Sequence, residues 1–262
     1  MRALNLLRES LHYRKEAFSA GLGALGFQVV PALRDPLPGD VLLIWNRYGR
    51  FDDEARRFEA AGATVLVTEN GHLGKAWQGG DWYSLAIGHH LGAGRWAVGG
   101  PERWAAIGTE CAPWRDPGPW ANEILVLAQR GIGERGLASP PEWAERASGR
   151  LPGSRIRPHP GMYPPRNSLA DDLQTVGAAA TWASGAALHA LLLGTPVWYN
   201  MPHWIGAAAA TPLGQWQPRA RPQCNDAARQ AMFERLAWAM WTLEEIRSGA
   251  AFESVLKVAR AA

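Results

Sequence analysis

The stretch PGDVLLIWNRYGRFDDEARRFEAAGATVLVT, residues 38–68, decides the fold. Pro38-Gly39-Asp40 reads as a turn that launches residues 41–45, an unbroken apolar run of the kind found in strands buried on both faces. Asp52 and Asp53 open a helix that continues through Ala61 and closes at Gly62, and residues 63–68 are the next strand. Strand, helix and strand with short connections are the pattern of a parallel sheet with right-handed crossovers.

Upstream, residues 13–26 read as a helix ending in glycine, and residues 27–30 as a short strand stopped by Pro31. Residues 71–119 are rich in Gly, Trp and Pro. They read as irregular, with one strand near 96–98 and a domain junction at Trp114–Trp120. The pattern then restarts with a buried strand at 124–128 and a helix at 140–148. A strand at 155–160 runs into a proline-stiffened loop. A helix at 169–176 has Ser168 and Asp171 as cap candidates. A strand at 178–181, a helix at 186–193 closed by Gly194, and a strand at 196–199 follow. Residues 227–247 read as one amphipathic helix, with a further one at 251–261. The expected architecture is α/β, with two Rossmann-like lobes. Residues 1–118 form an acceptor-side lobe, residues 119–226 a nucleotide-sugar lobe, and residues 227–262 helices packed across them.

Composition narrows the function classes. Of 262 residues, 47% are apolar, enough for a real core and too many for a disordered chain. The formal charge of +3 permits an anionic partner without demanding one. Cys111 and Cys224 lie far apart and outside any CxxC or Cys/His cluster, which argues against a zinc site or a disulfide framework and for a reduced, cytoplasmic setting. The opening MRALNLLRES turns polar too soon for a signal peptide, and the longest apolar stretch, 186–193, contains His189, so no membrane span is expected. Fourteen tryptophans stand out. Trp77, Trp82, Trp96, Trp104, Trp114, Trp120 and Trp216 sit in turn-like contexts, where they either pack loops onto the core or stack on sugars or bases.

The chemistry-bearing residues cluster after strands. Thr181-Trp-Ala-Ser184-Gly185 ends a strand and opens a short helix whose first N–H groups have no internal partners and favour an anion. Ser184 adds a hydroxyl, Gly185 permits close approach, and an ordinary serine cap is the plain alternative. His159, between Pro158 and Pro160, is held at another strand's carboxyl end, where open α/β sheets bind ligands. Gln129 and Arg130 follow the strand at 124–128, and Arg130 suits a phosphate. The glycine-rich run 131–136 matches neither GxGxxG nor GxxxxGK. In the first half, Glu69 follows the strand at 63–68 and is the candidate base. It faces an inter-lobe cleft in this reading, with Asp53 as a rival catalytic carboxylate. Asn46, Arg47, His72 and His90 are acceptor-side candidates. Neighbouring strand residues point to opposite faces, so His89 and His90 are not expected to face one site together. There is no DxD and no His/Asp cluster at metal-ligand spacing. A metal-independent mechanism is expected, with helix N–H groups and basic side chains holding the leaving phosphate.

Taken as a set, these motifs resemble the GT-B glycosyltransferases, and more narrowly the bacterial capsule-type Kdo transferases and related sialyltransferases. The likeness rests on His159-Pro160, on Thr181/Ser184, and on the run Ala190-Leu-Leu-Leu-Gly-Thr-Pro196. Glu69-Asn70-Gly71 is similar to the family's Glu-Asp-Gly turn, with Asn70 in place of Asp. Residues 241–249 look like segments of phage-encoded proteins of this type. The resemblance implies a UDP- or CMP-linked sugar as co-substrate, no other cofactor, and a donor phosphate held by His159 and Ser184. A hydroxymethylated base in phage DNA is the favoured acceptor, on the phage-like segment and the basic pI of about 9.1. A surface polysaccharide is the alternative. A nucleotide-sugar epimerase or hydrolase, and a silent nucleotide- or DNA-binding module, compete with both. A Rossmann dehydrogenase is disfavoured, because no glycine-rich fingerprint follows the first strand.

Overall fold

The computed structural model describes residues 1–90, 93–133 and 137–260. Its chain folds into two compact units, residues 1–103 with 235–262 and residues 104–234. Trp114–Trp120 therefore belongs to the second unit.

The first unit is built on a six-stranded sheet. Strands β1 (Arg2–Asn5), β2 (Gln28–Val30), β3 (Val41–Trp45) and β4 (Thr64–Asn70) are parallel, in the order β2-β1-β3-β4. Beyond β4 lie β5 (Trp82–Ile87), antiparallel to it, and an edge strand at Met240–Thr242 (numbered β11 in chain order), antiparallel to β5. The apolar runs are continuous because both faces are covered. Ala3, Val41, Leu43 and Leu66 pack on one face with Phe18 and Leu22 of α1 (Lys15–Ala24). Their neighbours Leu4, Leu42, Ile44 and Val65 pack on the other with Ala55 and Phe58 of α2 (Arg50–Ala60).

Two expectations need correction here. The strand near 96–98 is absent. A single bridge, Ile87 to Arg95, marks the place, and Trp96 is buried as a plug while Val98 is exposed. The helix expected over 227–247 is broken. Residues Asp226–Ala237 and Leu243–Ser248 are helical, and β11 lies between them. The break has a local cause. Thr242 accepts from the Glu245 N–H while the Glu245 carboxylate accepts from the Thr242 N–H, so a new helix starts there. Burial of Met240 and Trp241 beside β5 accounts for the extended segment before it.

In the second unit five parallel strands run in the order β10-β9-β8-β6-β7. They are β6 (Ile124–Leu127), β7 (Ser154–Arg157), β8 (Ala178–Thr181), β9 (Val197–Tyr199) and β10 (Thr211–Pro212). Taken in chain order this is second-first-third-fourth-fifth, a doubly wound Rossmann-like sheet. A short helix, α3 (Glu102–Ile107), precedes these strands in the chain, and the crossovers are made by α4 (Trp143–Arg150), α5 (Leu169–Gln174) and α6 (Gly185–Leu192). Ser168 caps α5 by accepting from the Asp171 N–H at 3.1 Å. Of the seven tryptophans singled out, Trp120 alone is exposed, at 44%. Trp96 and Trp104 are buried in packing, and Trp77, Trp82, Trp114 and Trp216 are partly buried.

Among the described residues no helix is long and apolar enough to cross a membrane.

Candidate functional site

In a doubly wound sheet the two crossovers that leave in opposite directions open a crevice at the strands' carboxyl ends. Here it lies between β6 and β8. Leu127 is in register with both Arg157 and Thr181, so the loops after β6, β7 and β8 leave the sheet at one level. Residues 129–130, 159 and 184–185 sit on those three loops. β7 and β8 are two ladder spacings apart, about 9–10 Å, and the β6 loop runs between them.

The β8 loop is internally braced. Gln129 reaches across the crevice, its Oε1 accepting from the Ala183 N–H at 2.7 Å. Thr181 is fully buried, and its Oγ1 accepts from the Ser184 N–H at 2.8 Å. Ser184 then caps α6, accepting from the Ala186 N–H at 3.2 Å. These three side chains occupy N–H groups that the sequence reading left open for an anion. The Gly185 N–H keeps no acceptor among the described residues. Two further side chains brace the edge. Trp182 Nε1 donates to the Leu137 carbonyl at 2.7 Å, and Trp143 Nε1 to Asn200 Oδ1 at 3.1 Å. The sequence reading missed Asn200, although an Asn directly after a strand ending at 199 is a signal of the same kind as Gln129.

His159 and Arg130 are brought together. His159 Nδ1 accepts from the Gly161 N–H at 2.9 Å, which places the ring proton on Nε2. Burial, then the nearby Arg130 charge, push the imidazole below its ordinary pKa, so the ring is neutral at neutral pH. Arg130 is exposed and makes no hydrogen bond or ion pair among the described residues. Arg157, by contrast, is spent on an ion pair with Asp172. Residues 134–136 of the glycine-rich run lie outside the described residues.

In the first unit Asn46 and Glu69 stand at adjacent strand ends. Asn46 is in the left-handed region, φ 45°, and its N–H donates to the Thr68 carbonyl at 3.0 Å. Glu69 is the penultimate residue of β4, paired with Ser84 and half-buried. Arg47 is buried in a network. It pairs with Asp52 at 2.6 Å and forks onto Glu59 at 2.7 and 2.8 Å, and it donates to the Gly88 carbonyl at 2.8 Å. Its backbone N–H donates to His90 Nδ1 at 3.2 Å. Residues 88–90 are not in a strand, so the alternation expected for His89 and His90 fails. Their rings stack at 4.9 Å and 10°. Asp53 lies in the first turn of α2, on the rim of a cavity that Glu69 does not line.

His72 follows β4 with its Nε2 sequestered and without a hydrogen-bond partner among the described residues. Burial lowers its pKa from about 6.5 to about 4. Between those values the unfolded chain binds more protons, so stability rises with pH across that window. The contribution is complete above pH 6.5 and is lost as the pH falls toward 4. His72→Phe is expected to remove about 2 kcal/mol of this acid sensitivity. Urea titrations at pH 7 and pH 4.5 check it: an equal acid loss in both proteins would show that His72 is not the titrating group.

No protein-family model matches the chain, and no curated protein matches it by sequence. Solved structures do. KpsC of Thermosulfurimonas dismutans, described as a beta Kdo 2,7 transferase, superposes with TM-score 0.60 at 15% identity, over 98% of this chain and 99% of that one. A second KpsC structure from the same organism, a beta Kdo 2,4 transferase, gives 0.54 at 14% identity, over 90% and 89%. The fold is GT-B-like. Identity at this level carries the fold and leaves the chemistry to the site.

Proposed function

We propose that the chain is a glycosyltransferase that moves a sugar from a nucleotide donor to a hydroxyl of a glycan, in a reaction of the capsule, Kdo-transferring type. The observation that carries this is the meeting of three loops at the β6/β8 crevice, with the uncommitted Arg130 beside a neutral His159. In this reading the donor phosphate is bound by the Arg130 guanidinium, the His159 Nε2–H, the Gly185 N–H and the Ser184 hydroxyl. Gln129 and Thr181 hold the β8 loop in place. The bond from anomeric carbon to phosphate oxygen breaks, and the fixed donors stabilise the charge left on the phosphate with no reorganisation at the moment of reaction. The acceptor oxygen forms the new bond, and Glu69 is assigned as the base that takes its proton. UDP- and CMP-linked sugars are both candidate donors, and no metal enters this scheme.

A glycan acceptor is favoured over the hydroxymethylated DNA base expected from the sequence. Both solved neighbours above are described as Kdo transferases, and neither is described as acting on DNA.

The test is a thermal-shift and turnover panel of UDP-, CMP- and GDP-sugars. One nucleotide class is expected to raise the melting point. A ligand at a hundred times its Kd contributes about 2.7 kcal/mol. Arg130→Ala should abolish that shift and lower transfer about a hundredfold. If no nucleotide sugar moves the melting point, the transferase reading falls. If transfer goes to a 5-hydroxymethylcytosine oligonucleotide and not to oligosaccharides, only the acceptor assignment falls.

A further inference from the structure

The first unit contains a cavity of 730 Å³ that the transfer scheme does not use. Ligand cavities span about 300–1,000 Å³. Its floor is apolar, from Leu4 and Leu6 at the end of β1 and from Phe51 of α2. Its rim carries Arg34, Arg50 and Asp53. The strand order β2-β1-β3-β4 reverses direction between β1 and β3, so this cavity too lies at the carboxyl edge near a switch point, where open α/β sheets bind ligands.

The charges on the rim are not equivalent. Arg57 is fully engaged. It pairs with Glu54 at 2.6 Å and donates to the Leu33 carbonyl at 2.9 Å and to the Arg34 carbonyl. That arrangement cancels one charge pair and pins the 31–34 wall to α2. The Arg34 and Arg50 side chains, in contrast, make no hydrogen bond or ion pair among the described residues, and the Arg50 guanidinium lies 5.1 Å from the Phe51 ring centroid. Two uncommitted guanidinia at one mouth suit a doubly charged oxyanion, which can take paired N–H donors from each. The Asp53 carboxylate can only accept, so it suits hydroxyls. The floor suits the apolar face of a ring.

We infer that this cavity binds a hydroxylated ring carrying a phosphate monoester, of which a sugar phosphate is the simplest form. The phosphate lies between Arg34 and Arg50, the hydroxyls donate to Asp53, and the ring face rests on Leu4, Leu6 and Phe51. The site goes beyond the transfer reaction and requires no part of it.

Isothermal titration of the full chain with glucose 6-phosphate at low ionic strength tests the assignment. Saturable binding is expected, with glucose silent and inorganic phosphate at least about tenfold weaker. Arg34→Gln and Arg50→Gln should each weaken binding about tenfold or more, and Asp53→Asn a few-fold. These side chains are exposed, so the variants are expected to fold, and their melting points check that. Arg130→Ala, in the second unit, should leave this titration unchanged. The inference is overturned if there is no saturation below about 1 mM, if glucose binds as well as its phosphate, or if the two arginine variants bind as the parent does. Such a result leaves the transferase reading intact, because that is read by nucleotide-sugar turnover.

Discussion

Gly194→Ala is expected to destabilise the second unit by about 4 kcal/mol or more, the range reserved for a named structural fault. Two causes act together. Gly194 terminates α6 at φ 78°, in the left-handed region, where a Cβ costs about 1–2 kcal/mol. The turn it makes is well defined: the Thr195 N–H bonds back to the Ala190 carbonyl, and the Gly194 N–H to that of Leu191. The added Cβ would also fall inside the van der Waals shell of the Pro113 carbonyl oxygen, which is backbone and cannot rotate away. That backbone is held on both sides, by Ala112 N–H to the Leu192 carbonyl and Arg115 N–H to the Gly194 carbonyl, each at 2.9 Å. Gly149→Ala is the control. It lies in α4 with open space where an added Cβ would stand, and should be neutral or stabilising by up to about 1 kcal/mol. Urea denaturation of the two variants decides the matter; equal midpoints would contradict the account.

Arg103→Ala is the second large effect, in the first unit. The guanidinium forks onto Glu245 at 2.6 and 2.9 Å and donates to the Ala237 and Met240 carbonyls at 2.7 and 2.6 Å. It also lies 4.1 Å from the Trp241 ring centroid. One side chain thus anchors β11 and the start of the following helix. Its removal leaves a partly buried carboxylate with only its Thr242 donors, and takes a donor from two carbonyls. The expected loss is about 3 kcal/mol, at the low end for such pairs because Glu245 keeps some solvent contact. Arg103→Lys should recover little, since an ammonium cannot reproduce the fork. The deficit depends on pH. Burial works to raise the Glu245 carboxyl, but Arg103 and Thr242 outweigh it and hold it below the ordinary value. The advantage of the parent is therefore full above the ordinary carboxylate pKa and shrinks as the pH falls through the folded one. A deficit constant from pH 7 to pH 3 would contradict this assignment.

How much of this could be seen in the sequence differs by element. β3 and β8 were legible to the residue, because β3 is an unbroken apolar run launched by a turn and β8 is a short run of alanines ended by Thr181 before a helix cap. The caps at Ser168 and Ser184 were legible because a cap is a contact within three residues. β1 and β5 escaped notice. β1 is four residues long, and β5 sits inside a Gly- and Trp-rich stretch whose tryptophans suggested loops. β11 was read as helix because the strand it pairs with is more than 150 residues away in the chain.

At the candidate site, residue types and loop positions followed from strand ends, but their states did not. Nothing local to residues 159–161 and 130 announces that the His159 proton sits on Nε2, or that Arg130 lies close enough to depress that ring. Likewise Arg47 and His90 read in sequence only as acceptor-side candidates, and the fold commits the Arg47 side chain to Asp52 and Glu59 and its backbone N–H to His90.

By itself the sequence determined the α/β class, the Rossmann-like alternation of strands and helices and the loops that follow the strands, because periodicity and capping act over a few residues. The tertiary structure decided which charges are spent and which remain to meet a ligand. A charge is neutralised by whatever the fold sets within a few ångströms of it, and those neighbours come from distant parts of the chain.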